Sequence, residues 1–497
     1  MIDSANGIDA RMDVAVAAGR IAAVQADIPA TQARRVLEVA GLYVVPGLID
    51  LHAHVFGYEG SLAPDETALP AGTTTVVDAG GSGWRTFDEF RRTVIAHSKT
   101  RVLALINIVG KGMVGEPYES DIEDMDPART AETILRNKDA IVGIKTAHFA
   151  KPGWTAIDRA VDSGRRADVP VMVDDKIFTN SGRTTREELL DHLRPGDIHT
   201  HMYNDRQIEL IDRFTGKLEP WMIEARRRGV LFDAGHGGGS FLWPVAQRAV
   251  AQGFVPDTIS TDLHQGSVNI QQSDMPNVMS KMMLLGMSFP EVLVRSTVNP
   301  AKAIGRYPEL GTLGVGRVAD IAVLEEQTGV FAFKDSWPAK RLGTKRLECV
   351  LTVRAGQVVY ERRYRPSVPA ETQIYDLLVK RGRLAAGTHR DQEVDVGVIG
   401  NRIARVGRRL PAAHARVVIE AEGYELSRVD GGALPCGAAA AGSPELSEGG
   451  TADLALFEPA GGEQRCVLGI RSGRVVWDTE GLTIPDVSRA GPYSNFK

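Results

Sequence analysis

The chain has 497 residues, 43% hydrophobic and 24% charged, with a formal net charge of −5. That length favours two or more domains, and the composition supplies enough apolar residues for sizeable cores. Without a Lys/Arg-rich tract, a basic-then-apolar leader or a run of about 18 apolar residues, the sequence argues against nucleic-acid binding, secretion and membrane spanning. Its three cysteines, Cys349, Cys436 and Cys466, are widely spaced and odd in number, as in a reduced cytoplasmic protein.

The first 45 residues read as short alternating strands with glycine turns, as in "DVAVAAGRIAAV". From residue 46 to 310 short β-branched apolar cores alternate with helix-periodic stretches. Eight candidate strands follow in order: "VVPGLIDLHAH", "GTTTVVDAG", "RVLALINIVG", "IVGIKTA", "PVMVDDK", "DIHTHMYN", "GVLFDAGHG" and "DTISTDLH". Between them "TFDEFRRTVIAHSK", "TAIDRAVDSGRRA", "TREELLDHLR" and "WMIEARRR" predict helices. Strands buried on both faces and joined by helical crossovers make a parallel sheet. Eight such units match a (β/α)8 TIM barrel, usually roughly 250 residues long. A doubly wound open sheet is the alternative, but no glycine-rich dinucleotide fingerprint follows the first strand. Beyond 310 the alternating strands return in "ADIAVLEE" and "CVLTVRAGQVVYE". Residues 1–45 and 311–365 are therefore expected to build one small β-sandwich beside a barrel at 46–310.

A repeat then emerges. Asp13–Gly41 aligns without gaps with Asp395–Gly423, at an offset of 382 and with 14 of 29 positions identical. "CVLTVRAGQVV" likewise aligns with "CVLGIRSGRVV", 7 of 11 identical. Residues 372–497 thus read as a second, vestigial β-sandwich. Where the first copy holds a barrel, this one holds only a short segment beginning "YELSRVDGG". It has no His-x-His and just two histidines, His389 and His414.

Positions i and i+2 of a strand share a face, so His52 and His54 in "IDLHAHVF" point the same way. In a barrel that direction can be inward, at the C-terminal mouth where active sites lie. Other candidate strands end in ionisable residues: Lys145, then Asp174 and Asp175, then His199 and His201, then His236, then Asp262. The steps from Lys145 through Asp174, His201 and His236 to Asp262 are 29, 27, 35 and 26 residues, each close to one βα unit. Desolvated charges are costly unless paired or bound to metal. Their recurrence at one height of successive strands points to a metal centre.

Together, "PGLIDLHAHVF", "GIKTA", "HTHMYN", "DAGHGGGSF" and "STDLH" resemble the metal motifs of the amidohydrolase superfamily. The likeness is to its dihydroorotase-like group, and there to the amidohydrolase/deacetylase branch. It covers residues 1 to about 365. The resemblance implies that His52 and His54 bind a buried divalent metal. It implies that Lys145 is carboxylated and bridges two ions, usually zinc, and that His201 helps to hold the second. It implies that Asp262 binds metal and moves protons. The chain departs at one position: Asp174 stands where the family usually has a fifth-strand histidine, with Asp175 facing the other way. A carboxylate binds zinc at about 2.0–2.2 Å. Two metals and one metal both stay open, and the harder oxygen donor admits Mn2+.

By the same resemblance, His236 is expected to orient or polarise the acyl group. Gly238 in "GHGGGS" would let backbone N–H groups approach a ligand. Tyr203 and Asn204 are expected to line the pocket, and His199 to support the ligand layer. His148 is either a pocket or a loop residue, His264 falls near the mouth, and the methionines of 275–288 suit helix packing. The expected activity is metal-dependent hydrolysis of a small-molecule acyl bond, with Asp262 as general base and acid. Deacetylation of an N-acyl or O-acyl α-substituted acid comes first and cyclic amide hydrolysis second. A non-catalytic dihydroorotase-like scaffold is the alternative from another class. A cytoplasmic homo-oligomer acting on a small molecule, without nucleic acid or membrane, is expected.

Overall fold

The computed structural model describes residues 1–174, 186–204, 210–212, 214–337, 339–362, 375–385, 390–429, 446–458, 465–480 and 482–483; Asp175, His389 and Cys436 lie outside them. Among the described residues no helix is long and apolar enough to cross a membrane. The chain divides into two compact units, Met1–Gln327 with Phe331–Glu361, and Thr328–Val330 with Arg362–Lys497.

In the first unit a single apolar run serves two sheets. Tyr43–Pro46 pairs antiparallel with residues 321–324 in a four-stranded sheet completed by Lys340–Arg354 and Gln357–Glu361. After Gly47 the chain enters a parallel sheet: Leu48–Ala53 (β1), Thr73–Gly83 (β2), Arg101–Asn107 (β3), Ile141–Ala147 (β4), Val171–Asp174 (β5), Ile198–His199 (β6) and Leu231–Phe232 (β7). All seven lie in chain order and pair in parallel. One face buries Ile49, Leu51, Val77, Leu103, Leu105, Met172 and Ile198 in a common cluster. The other packs Val76, Ala104, Ile106, Ile144 and Val173 with Ile157, Ala160 and Val161 of helix Thr155–Ala167. Burial on both faces explains why these strands read as continuous apolar runs.

The expected eighth strand is a bridging segment rather than a full strand. Thr258 bridges Asp233 and Leu263 bridges Ala53, both parallel, so residues 258–263 touch both edges of the sheet. Helix Thr155–Ala167 has the predicted span, whereas 86–99 forms only the α-turn Phe87–Phe90 and π-turns at Arg91–Ile95. Met275, Met279 and Met282 are buried on helix Met275–Leu284.

The second unit is built on an eight-stranded sheet. Its order is Arg402–Gly407, Glu393–Ile399, Leu377–Leu384, Glu425–Arg428, Leu454–Phe457, Cys466–Arg471 and Arg474–Asp478, with Val418–Glu420 also pairing Leu377–Leu384. The repeat extends to irregularities of the backbone. The hairpin register shifts between Ala15 and Val16 in the first copy and between Gly397 and Val398 in the second. It shifts again between Thr352 and Val353, and between Gly469 and Ile470. Asp320 accepts from the Ala355 amide at 2.8 Å, and Asp453 accepts from the matching Ser472 amide at 2.6 Å. Both donating turns are left-handed, with φ of 48° at Ala355 and 47° at Ser472.

One difference between the copies is testable. Ala15 corresponds to Gly397, where a Cβ would stand 2.3 Å from the buried Tyr375 ring. Gly397→Ala is expected to destabilise the second unit by about 1–3 kcal/mol through overpacking. The check is the urea midpoint, and an unchanged midpoint would mean that Tyr375 does not pack there.

Candidate metal centre

Backbone irregularity at β1 sets the site. The β1–β2 register shifts between Asp50 and Ala53, and such a bulge re-aims the residues that follow. Asp78 on β2 then holds the departing chain, accepting from the amides of Val55 (2.9 Å), Phe56 (3.2 Å) and Gly81 (2.7 Å). Asp50 accepts from the Thr261 amide at 3.0 Å and from the Thr261 hydroxyl, tying segment 258–263 to β1. Asp262 is thereby held opposite the two histidines. His54 Nε2 lies 2.9 Å and His52 Nε2 3.5 Å from Asp262 Oδ1. The ligand atoms of these three buried residues all fall within 4.8 Å of one another. Lys145 Nζ, fully buried on β4, sits 3.1 Å from His52 Nε2. His201 Nε2 is 4.0 Å from Asp262 Oδ2.

The hydrogen bonds assign the proton on His52. The Thr200 hydroxyl donates its one proton to Asp233 Oδ2 at 2.7 Å. It must therefore accept from His52 Nδ1, 3.0 Å away. Burial, with the Lys145 ammonium beside it, pushes His52 down to about 3, so the ring is neutral near pH 7 and Nε2 keeps its lone pair. Burial works against the Asp262 carboxylate, yet His52, His54 and His201 hold it well below the ordinary range. The His52 lone pair and the Asp262 carboxylate, with His54 beside them, thus supply nitrogen and anionic-oxygen donors, the chemistry a divalent ion requires. Lys145 is the exception: burial lowers its pKa, while Asp174, Asp262 and Asp233 oppose that shift.

Asp174, the last residue of β5, meets His201 Nε2 at 3.2 Å and His148 Nε2 at 3.3 Å through Oδ2. Gly238 lies on the rim, where a Cβ would come 3.3 Å from His264 Nε2. His264 donates from Nδ1 to the Asp262 carbonyl at 2.8 Å. Asn204 donates to the His201 carbonyl at 2.6 Å and so braces that histidine. His199 is buried with its ring 5.7 Å from Phe232.

Two expectations need correction. Tyr203 does not line the pocket: it is fully buried, edge-on to Phe241, with its hydroxyl 3.5 Å from the Phe254 carbonyl. The sheet ends at His199, so strand alternation no longer governs Tyr203. His236 is not turned toward the donor group either. Its Nε2 meets Lys281 Nζ at 2.8 Å, its Nδ1 meets Ser273 Oγ and the Gly237 carbonyl at 3.0 Å each, and its ring stacks on Phe241. With both nitrogens engaged it has no atom left to polarise an acyl group. The cause is backbone reversal at Gly235 and Gly237, with φ of 45° and 53°. Gly237 also makes room for the site, since a Cβ there would stand 2.2 Å from Asp262 Oδ2.

Asp50, Thr200 and Asp233 lie inside the quoted motifs, yet strand period alone does not single them out. Thr200 places its hydroxyl 3.0 Å from His52 Nδ1, and the next residue, His201, is left-handed at φ 60°. Asp233 Oδ1 accepts from Thr258 and its Oδ2 from Thr200 and Ser260, at 2.6–2.7 Å. Asp233→Ala would strand three buried hydroxyls and free the His52 tautomer. A loss of at least about 2 kcal/mol is expected, measured by urea denaturation, and a loss below 0.5 kcal/mol would mean the network is dispensable.

A profile of the amidohydrolase family matches residues 250–360. A deacetylase of Agrobacterium fabrum is 33% identical over 326 residues, spanning 62% of this chain and 76% of the relative. Among solved structures, an adenine deaminase superposes with a TM-score of 0.66 at 29% identity, covering 71% of this chain and 96% of its own. A dihydroorotase does so with a TM-score of 0.63 at 30% identity and the same coverage of 71% and 96%. Taken with the His52, His54 and Asp262 group, these likenesses settle the family: the chain belongs to the amidohydrolase superfamily and is a hydrolase acting on C–N bonds.

Proposed function

We propose that this enzyme is a metal-dependent deacetylase, hydrolysing the acyl bond of an N-acyl or O-acyl α-substituted acid. The observation that carries this reading is the convergence of His52, His54 and Asp262 within 4.8 Å, beside buried Lys145. Likeness to a deacetylase at 33% identity supports the choice of bond. We read the parallel sheet and segment 258–263 together as a (β/α)8 barrel spanning 46–310. Residues 1–45 and 311–365 form its β-sandwich, and 372–497 a vestigial second sandwich.

His52, His54 and Asp262 would hold one divalent ion, zinc or manganese, and His201 with Asp174 a second. Lys145, carboxylated, would bridge them. Burial favours the neutral Lys145 amine. That amine can bond through Nζ to the carbon of CO2 and release one proton, becoming an anion. When bound, such metals polarise a carbonyl and bring the pKa of a water toward about 7. Asp262 takes the proton of the attacking water and returns it to the leaving nitrogen or oxygen. Thr200 and Asp233 keep His52 in the Nδ1–H tautomer throughout.

Cyclic amide hydrolysis is the second reading, supported by the dihydroorotase likeness at a TM-score of 0.63. A kinetic screen of zinc- or manganese-loaded protein separates the two. The panel is N-acetyl amino acids of both hands, acetylated hydroxy acids and cyclic imides. Acylated acids of one hand are expected to turn over fastest, and Asp262→Asn to lower kcat by about 10²–10⁴-fold with an unchanged circular dichroism spectrum. Preference for the imides would select the second reading. Metal-free purified protein with no turnover on any member would overturn both.

A further inference from the structure

Beside the His52, His54 and Asp262 group lies a second convergence, joined by a residue from outside the motifs. His201 and His148 aim Nε2 at the same oxygen, Asp174 Oδ2, from 3.2 and 3.3 Å. The opposite nitrogen of each ring is already engaged by an acceptor. His201 Nδ1 lies 2.6 Å from the Gly235 carbonyl, which can only accept. His148 Nδ1 lies 2.8 Å from Glu119 Oε2, on a buried carboxylate whose Oε1 accepts from the Gly115 amide at 2.9 Å. Both rings therefore carry hydrogen on Nδ1. As neutral imidazoles they would direct two lone pairs and a carboxylate oxygen at one point. Positive charge has to occupy that point, either as protons on the rings or as a cation.

The backbone is shaped to the same end. His148 and His201 are both left-handed, with φ of 57° and 60°. Non-glycine residues in that region are strained and persist where the surroundings demand them, commonly at functional sites. A carboxylate behind a histidine is also the usual means of orienting a metal-binding imidazole. We propose that His148, oriented by Glu119, is a ligand of a second divalent cation shared with Asp174 and His201. It would supply from the loop after β4 the imidazole that β5 lacks. Nitrogen and carboxylate donors together suit zinc. The inference rests on the two-ion form of the metal-dependent reading above and concerns a further ligand of the second ion.

Metal content separates the two. Wild-type protein, equilibrated with zinc, dialysed and measured by plasma mass spectrometry, is expected to hold two ions per chain. His148→Ala and His148→Asn are expected to hold one, with unchanged circular dichroism. Glu119→Gln is expected to retain both ions but to weaken the second site about 10–100-fold in chelator competition. An equal zinc count in the wild type and in a folded His148 variant overturns the proposal, as does a single ion in the wild type, and both leave the metal-dependent reading standing. Protein that binds no zinc at all removes both.

Discussion

A buried carboxylate governs this site. Asp262 is nearly closed off from solvent, and an isolated charge there would be prohibitively costly. Three histidines compensate it, and the rest of the local structure serves to keep them there. Asp50 ties the segment carrying Asp262 to β1, Gly237 leaves space for its carboxylate, and Asp233 with Thr200 fixes the His52 ring. Asp50, Thr200 and Asp233 are themselves buried polar groups with hydrogen-bond partners, so the network rigidifies the site as a whole.

Strain accompanies that arrangement. His148, His201 and Asp262 all adopt left-handed backbone, with φ of 57°, 60° and 48°. His148 and His201 sit just beyond regular strands and Asp262 in the bridging segment 258–263, where no ladder dictates conformation and the chain is free to aim a side chain. Well-packed apolar layers on both faces of the parallel sheet hold the strand ends that carry them. The rigid sheet thus supports a strained rim, the usual relation between scaffold and site in α/β enzymes.

The duplication shows which local devices recur in both copies. The second unit keeps the β-bulges, the left-handed turn at Ser472 and the aspartate that receives its amide. These are local devices that set hairpin register, and a register slip would expose the core face of a strand. His52, His54, Lys145 and Asp262 have no counterparts in it. Its apolar cluster, from Leu377 to Ile470, is its own.

Much was legible in the sequence because it depends on local periodicity. Burial on both faces makes seven strands visible as apolar runs, and their spacing places Lys145, Asp174, His201 and Asp262 at successive ends. Nearly half-identical repeats exposed the second sheet. Where regular strand geometry stops, the reading stopped as well. Period-two alternation says nothing about Tyr203, which follows a strand that has ended, or about His236, which sits between two left-handed glycines. Glu119, Thr200 and Asp233 are ordinary polar residues in sequence and acquire roles only through partners 29 to 148 positions away. Sequence alone therefore determined which residues could bind a metal, since that follows from side-chain chemistry and strand period. Tertiary structure decided which of them face one another, because orientation is set by bulges, left-handed turns and hydrogen bonds from distant segments.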